Sequence, residues 1–219
     1  MKKLFYLSLA AGAILMFTNC DNTSIEPINT GNHINFNNML VGQKSSYVRF
    51  ESRNVWQDSD TTFKQTADTL NLTIVSQDEN GFKISEDQLP KKIATFFYYF
   101  TIKNDSLLVK PVTGSVSINS TIFNFGASKF VLKDTNLPKW TLTKWARPKD
   151  LTITEGFGKT GDFTIMGKRY TDAFAYYNSN PMIFDGPLVV QLYTKADGFI
   201  SFQALGGLAP FGSIYNLIP

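Results

Sequence analysis

Phe96-Phe97-Tyr98-Tyr99-Phe100-Thr101-Ile102-Lys103-Asn104-Asp105-Ser106-Leu107-Leu108-Val109 decides the fold class. Two apolar runs rich in aromatic residues flank an Asn-Asp pair, and such a pair tolerates the positive φ angles of a tight two-residue hairpin turn. With Asn104 and Asp105 as the turn, Ile102 falls opposite Leu107 and Phe100 opposite Val109. Both pairs are apolar on one face, so turn chemistry and side-chain parity specify the same antiparallel register. Phe96 to Phe100 is apolar on both faces, which a one-sided sheet does not require. Either both faces are covered or one lines a cavity, and Phe96, Tyr98 and Phe100 are the candidate lining.

The same period-two alternation, punctuated by Asn, Asp, Gly and Pro, runs through most of the chain. It predicts strands at 46–53, 61–66, 68–76, 81–86, 94–103, 106–112, 115–118, 120–125, 128–133, 139–145, 150–155, 162–166, 168–178, 187–195 and 199–204. Residues 86–93 are the best place for a short helical turn. Near the C-terminus, Asp197-Gly198 suggests a two-residue hairpin loop, but that register sets Leu192 opposite Gln203. A bulged three-residue loop, Ala196-Asp197-Gly198, instead pairs Leu192 with Phe202 and Val190 with Ala204, and parity favours it. The expected fold is mainly β, a single curved antiparallel sheet or partly closed barrel, with a β-sandwich as the alternative.

Composition agrees and excludes some functions. Nineteen Phe, nine Tyr and three Trp lean the chain toward strands. Without Lys2 and Lys3, basic and acidic residues nearly balance, and no Lys/Arg cluster dense enough for nucleic acid is present. Cys20 is the only cysteine, so no internal disulfide can form. Stability must come from packing and backbone pairing.

Cys20 also carries the strongest signal about location. Lys2 and Lys3 precede an apolar run, Leu4 to Phe17, followed by Thr18-Asn19-Cys20 and the polar Asp21-Asn22-Thr23-Ser24. That run is too short to span a bilayer, which takes about 20 apolar residues. The segment resembles a type II lipoprotein signal peptide, with Phe17 and Asn19 as departures from the usual lipobox. The resemblance implies cleavage after residue 19 and acylation of Cys20. The expected organisation is a signal peptide at 1–19, a lipid-anchored tether at 20–40 with order near Ile34 and Phe36, and a β domain at 41–219. The domain would end in an uncharged apolar tail, 205–219, lying across an open end of the sheet.

Val41-Gly42-Gln43-Lys44-Ser45-Ser46-Tyr47, Lys103-Asn104-Asp105-Ser106-Leu107, and the pair Gly167 to Tyr176 with Tyr193 to Ile200 resemble motifs of a diffuse group of exported Bacteroidota lipoproteins. Ser45 or Ser46 stands where that group carries tryptophan. The resemblance implies a curved sheet of lipocalin-like or lipoprotein-carrier-like type, and an outer-membrane location with the periplasmic side favoured. It transfers no reaction and no site residue.

Motifs for chemistry are sparse. Gly156-Phe157-Gly158-Lys159-Thr160-Gly161 fits G-x-G-x-x-G, yet Asp162-Phe163-Thr164-Ile165 alternates like a strand where a dinucleotide site needs a helix. The stretch reads as a glycine-rich hairpin loop. His33 is the sole histidine and lies in the expected tether, so a Ser-His-Asp triad has no natural partner for it. One His and one Cys cannot fill a zinc site, and a calcium loop starting at Asp58 fails at Phe63 and Thr69. No metal or cofactor is expected. Asp172 is predicted within strand 168–178, sharing a face with Tyr170, Phe174 and Tyr176, as a polar group in an aromatic-lined cavity or a rim carboxylate. Trp140 and Trp145 have opposite parity on one predicted strand, so one of them, or Trp56, can serve as a stacking platform. Asp60-Thr61-Thr62, Asp68-Thr69-Leu70 and Asp105-Ser106-Leu107 fit an O-glycan acceptor pattern, with Ser106 at a hairpin tip.

The functional expectation is a non-catalytic, lipid-anchored envelope protein that binds an apolar ligand or a partner protein. Its tentative binding residues are Phe96, Tyr98, Phe100, Trp140, Trp145, Asp172 and Tyr176. The alternatives are a glycan-binding surface lipoprotein and a carboxylate-based hydrolase around Asp172.

Overall fold

The alternating pattern becomes fourteen strands and no helix among the described residues of the computed structural model. Those residues are 33–53, 63–90, 94–114, 127–133, 136–142, 154–179, 188–205 and 212–219. The strands are β1 (Lys44–Ser52), β2 (Lys64–Asp78), β3 (Gly81–Leu89), β4 (Thr95–Lys103), β5 (Ser106–Pro111), β6 (Lys129–Val131) and β7 (Lys139–Trp140). They continue as β8 (Glu155–Thr160), β9 (Phe163–Ile165), β10 (Lys168–Tyr170), β11 (Phe174–Asn178), β12 (Leu188–Thr194), β13 (Gly198–Leu205) and β14 (Gly212–Leu217).

Twelve of them form one sheet, in the order β6-β5-β4-β3-β2-β1-β14-β13-β12-β11-β8-β7. Only the β7–β8 pairing is parallel. The hairpin β9–β10 is a separate two-stranded unit. The large sheet curls without closing. Phe130 of β6 lies 5.0 Å from Phe199 of β13 and 6.2 Å from Tyr176 of β11, and the Tyr193 hydroxyl donates to the Val131 carbonyl at 2.9 Å. One half of the sheet is thus folded over the other.

The enclosed face holds the main core, which includes Leu70, Leu72, Ile74, Ile84, Phe96, Tyr98, Phe100, Phe130 and Phe202. The opposite face is covered over its second half by Trp140, Tyr170 and the β9–β10 hairpin, packed on Ala175, Tyr177, Val190, Leu192 and Ile200. Both faces of β12 and β13 are therefore buried, and this explains the register there. The loop is 195–197, Gly198 keeps the left-handed conformation at φ 65°, and β12 pairs Leu192 with Ser201 and Val190 with Gln203. A register shift sits between Leu192 and Tyr193. The expected pairing, one residue away, assumed that only one face was apolar. The β4–β5 hairpin matches its expectation fully, with Ile102 opposite Leu107, Phe100 opposite Val109, and φ near 50° at Asn104 and Asp105.

Other expectations need correction. The predicted strands 61–66 and 68–76 are one fifteen-residue strand with an irregularity between Ile74 and Ser76. Residues 86–89 extend β3 and form no helical turn. The glycine-rich stretch 156–160 is strand β8 and not a loop, because Gly158 leaves room for the Trp140 ring, which a Cβ there would meet at 2.2 Å. The predicted strand 168–178 breaks into β10 and β11 around Asp172. The predicted strands 115–118, 120–125 and most of 150–155 lie outside the described residues.

Expectations at both ends of the domain also change. Residues 212–217 do not lie across an open end. They form β14 in the middle of the sheet, paired with β1 and β13. Nor does the domain start at residue 41. Ile34, Phe36 and Met39 are 2%, 4% and 7% exposed and belong to the main core. The Phe36 ring meets Phe199 edge-on at 5.3 Å, and the Ile34 amide donates to Ser45 Oγ. This segment seals the proximal end of the curled sheet, where the chain enters β1 and where the turns 79–80, 104–105 and 195–197 lie. The strand ends Ser52, Lys64, Leu89, Thr95, Asn178, Leu188 and Gly212 gather at the opposite, distal end.

Phe36→Ala should therefore destabilise the domain by about 3–5 kcal/mol, the usual cost of truncating a buried aromatic. Urea denaturation reads this directly. An unchanged midpoint would place the segment outside the cooperative unit.

Candidate functional site

Phe96, Tyr98 and Phe100 project into the enclosed face and are 3%, 0% and 0% exposed. Phe100 is held edge-on by Phe36 at 6.4 Å and by Phe199 at 6.0 Å. The protein's own rings fill the place where the sequence suggested a ligand. Tyr98 donates its hydroxyl to Glu86 Oε2 at 2.8 Å, and Gln88 Nε2 reaches Glu86 Oε1 at 3.1 Å. Glu86 itself is 0% exposed, so these bonds help to offset a costly burial of carboxylate. Tyr176 is buried as well. Its hydroxyl donates to Glu155 Oε1 at 3.1 Å, and its ring lies 5.0 Å from Phe157. Burial pushes the Tyr176 phenol above its ordinary range, opposed in part by the hydrogen bond from Asn178.

Trp140 is 8% exposed and turns one face onto Gly158, with Tyr177 edge-on at 6.5 Å. It is a core residue that shows an edge to a hollow of about 330 Å³, shared with Asp162, Phe163 and Thr160. Trp145 and Trp56 lie outside the described residues. Ser106 is the first residue of β5 and not a hairpin tip. It is 7% exposed, with its Oγ donating to the Asn104 carbonyl, so it offers no open acceptor.

Asp172 has a different setting from the one expected. It is exposed, sits at φ 51° in the link between β10 and β11, and shares no strand face with Tyr170, Phe174 or Tyr176. It lines a second hollow, of about 480 Å³, at the proximal end. Three lysines, Lys133, Lys159 and Lys195, line this hollow over an apolar floor of Leu132 and Phe174. Each comes from a different element: the stretch after β6, strand β8, and the turn between β12 and β13.

Backbone bonds fix the frame. The Lys159 amide donates to the Pro138 carbonyl at 2.9 Å, Thr160 to Ala173 at 2.8 Å, and Asn37 to Lys195 at 3.2 Å. Lys195 Nζ is 3.7 Å from Asp105 Oδ1, while Lys133 and Lys159 have no carboxylate partner among the described residues. Two lysines without a carboxylate partner, beside Leu132 and Phe174, have the chemistry to receive an anionic group with some apolar body. Sequence reasoning missed it, since its residues are scattered over 160 positions and meet only when the sheet curls.

Beside this hollow lies the sole histidine. His33 packs near the ion pair of Lys168 Nζ and Asp197 Oδ1, 2.6 Å apart, and both imidazole nitrogens are buried without a hydrogen-bond partner. Asp197 is further fixed by Thr194, whose hydroxyl donates to Oδ2 at 3.0 Å. Deeper inside, Gln191 is 0% exposed between Tyr176 and Phe202 on neighbouring strands, and neither of its amide atoms has a partner. Among the described residues no three His, Cys, Asp or Glu side chains converge to hold a metal ion.

No family model, curated protein or solved structure matches the chain.

Two outcomes follow for these groups. Burial first, and Lys168 second, hold the His33 imidazole below its usual value, with Asp197 opposing. The unfolded chain therefore takes up the proton before the folded one as pH falls through the ordinary histidine range. His33 thus contributes a loss of stability toward acid, and stability rises again with pH across that window. His33→Gln should flatten that part of the profile in urea titrations between about pH 5 and 7.5; parallel profiles would refute the assignment. Gln191→Met removes two unsatisfied groups at similar volume and should raise stability by about 1–3 kcal/mol. A loss of stability would mean that the amide has a partner in solution.

Proposed function

We propose that the protein is a non-catalytic binding module of the cell envelope, anchored through acylated Cys20, which recognises an anionic group of a ligand or partner protein in the proximal hollow. One observation carries the choice of site: Lys133, Lys159 and Lys195 converge from three elements on one open depression floored by Leu132 and Phe174. The anchor reading rests on Lys2, Lys3, the apolar run Leu4 to Phe17, and the position of Cys20. Outer-membrane attachment on the periplasmic side is part of the same proposal.

A carrier holding an apolar ligand between the halves of the sheet is less well supported, because Phe96, Tyr98 and Phe100 are packed against other rings. A glycan platform at Trp140 is weakened by the burial of its ring face against Gly158. A hydrolase around Asp172 is less well supported, because Asp172 is exposed and no second carboxylate lines its hollow.

The test uses the full-length protein in detergent, with intact mass reporting the acyl chains on Cys20. Inorganic pyrophosphate is the probe, followed by amide shifts in NMR. Saturable shifts at Thr171, Asp172 and Lys195 are expected, with affinity falling at least tenfold in Lys159→Gln, consistent with losing one charge-assisted bond of about 1.5–3 kcal/mol. Shifts spread evenly over all surface lysines would overturn the site.

A further inference from the structure

We infer that the proximal end of the sheet docks on an anionic lipid leaflet, with Leu40 and Val41 entering the interface and the hollow of Lys133, Lys159 and Lys195 receiving headgroup phosphates. The inference deepens the anion-binding reading above and rests on it, naming the lipid surface as the source of the anion. Three independent observations point the same way.

The first is where apolar surface is left in the open. Among the described residues six large apolar side chains are exposed, and Leu40 and Val41, at 54% and 56%, are the most exposed of all. Both lie in the turn leading into β1, held by Gly42 donating to Ile74 and Gln43 to Leu40. Ile102, 40% exposed, stands at the same end beside the Asn104-Asp105 turn. An exposed Leu-Val pair on an ordered turn has no packing role, and such a pair is suited to insertion at an interface.

The second is charge placement. The hollow adjoins that turn through Asn37, which lines it and precedes Leu40 by three residues. Its three lysines outnumber Asp172 and the Asp105 carboxylate that faces Lys195. Basic side chains beside exposed apolar ones fit a leaflet of anionic headgroups, where each lysine adds attraction that salt screens. The acidic turn Asp78-Glu79 also lies at this end, on the β2–β3 side, and bounds the docking face there.

The third is the length and direction of the chain that leads to the anchor. Only residues 21–32 separate Cys20 from His33, and His33 opens the segment that seals the proximal end. A chain of that length reaches at most about 45 Å when fully extended. Acylated Cys20 would therefore keep the proximal end within that distance of the leaflet, at high effective concentration.

The single cysteine makes the test clean. With Cys20 acylated, a cysteine placed at residue 41 or 89 is the only free thiol, and both positions are exposed. Val41→Cys and Leu89→Cys proteins would each carry an environment-sensitive fluorophore and be reconstituted in two kinds of vesicle. One is phosphatidylcholine alone, and the other is phosphatidylcholine mixed with phosphatidylglycerol. Docking predicts a blue-shifted residue 41 label, shielded from a water-soluble quencher, in the anionic vesicles, while the residue 89 label stays fully quenched. Replacing Lys133, Lys159 and Lys195 together by Gln should abolish the shielding, as should high salt. Equal quenching at residues 41 and 89 in anionic vesicles would overturn the inference.

The pyrophosphate titration separates the two levels. Saturable binding in the hollow with equal quenching leaves the anion site and removes the membrane. Shielding at residue 41 that survives the triple Gln substitution overturns the headgroup role of the hollow. If intact mass shows an unacylated chain, the anchor reading fails. Docking is then judged from the same labels, placed in Cys20→Ser protein and read after vesicles are added.

Discussion

Phe199 is the contact on which the rest of the structure depends. Its ring has Phe130 at 5.0 Å, Phe202 at 5.0 Å, Phe36 at 5.3 Å and Phe100 at 6.0 Å. Those four rings come from β6, β13, the segment before β1, and β4, so one side chain ties both halves of the sheet and its seal together. No disulfide is available, no helix covers the enclosed face among the described residues, and the edge strands β6 and β7 do not pair. The curl is then held by ring packing and by single bonds such as Tyr193 to Val131 and Tyr47 to the Phe199 carbonyl. Edge-on aromatic pairs contribute beyond the area they bury, which suits them to a closure made without a backbone ladder.

What could be read in the sequence follows from which residues speak locally. The β4–β5 hairpin was legible to the register, because Asn104 and Asp105 supply positive φ and the flanking parity agrees. Strand β8 was not legible. Its glycines break the apolar–polar alternation and read as a loop motif, and the reason for Gly158 is the Trp140 ring that packs on it. Strand β14 was hidden for a related reason, since an uncharged apolar end looks the same whether it covers a sheet or joins one. The β12–β13 register failed because parity identifies a face only when the other face is polar, and here both are buried.

The site was less legible still. Phe96, Tyr98 and Phe100 were rightly picked as an inward-facing set, but a row of inward aromatics does not say whether a ligand or another ring stands opposite. Phe36, assigned to a tether by its Asn-rich neighbours, supplies one of those opposing rings. Asp172 misled because a strand break at a single non-glycine residue with positive φ leaves almost no trace in an alternating pattern. The lysines of the hollow carry no motif at all. They become a site through the curl that brings β6, β8 and the β12–β13 turn side by side.

Filling the interior has a consequence for how the molecule meets its surroundings. A curled sheet with an empty core can bind inside, whereas one packed with its own rings must bind at an end or on a face. The proximal end is closed over by the segment from His33 to Met39, and Gly198 makes this possible. A Cβ at that position would meet the Ile34 carbonyl oxygen at 2.4 Å, and φ of 65° further favours glycine. The close approach lets the segment from His33 to Met39 lie across the β12–β13 turn, where Asn37 donates to Lys195 and Lys168 grips Asp197. The chain leading from Cys20 is therefore tied directly to the turn that bears one of the hollow's lysines. In the anchored form proposed above, an orientation imposed through Cys20 would pass through Ile34 and Asn37 to Ser45 of β1 and to the β12–β13 turn, coupling where the protein is held to what its proximal end faces.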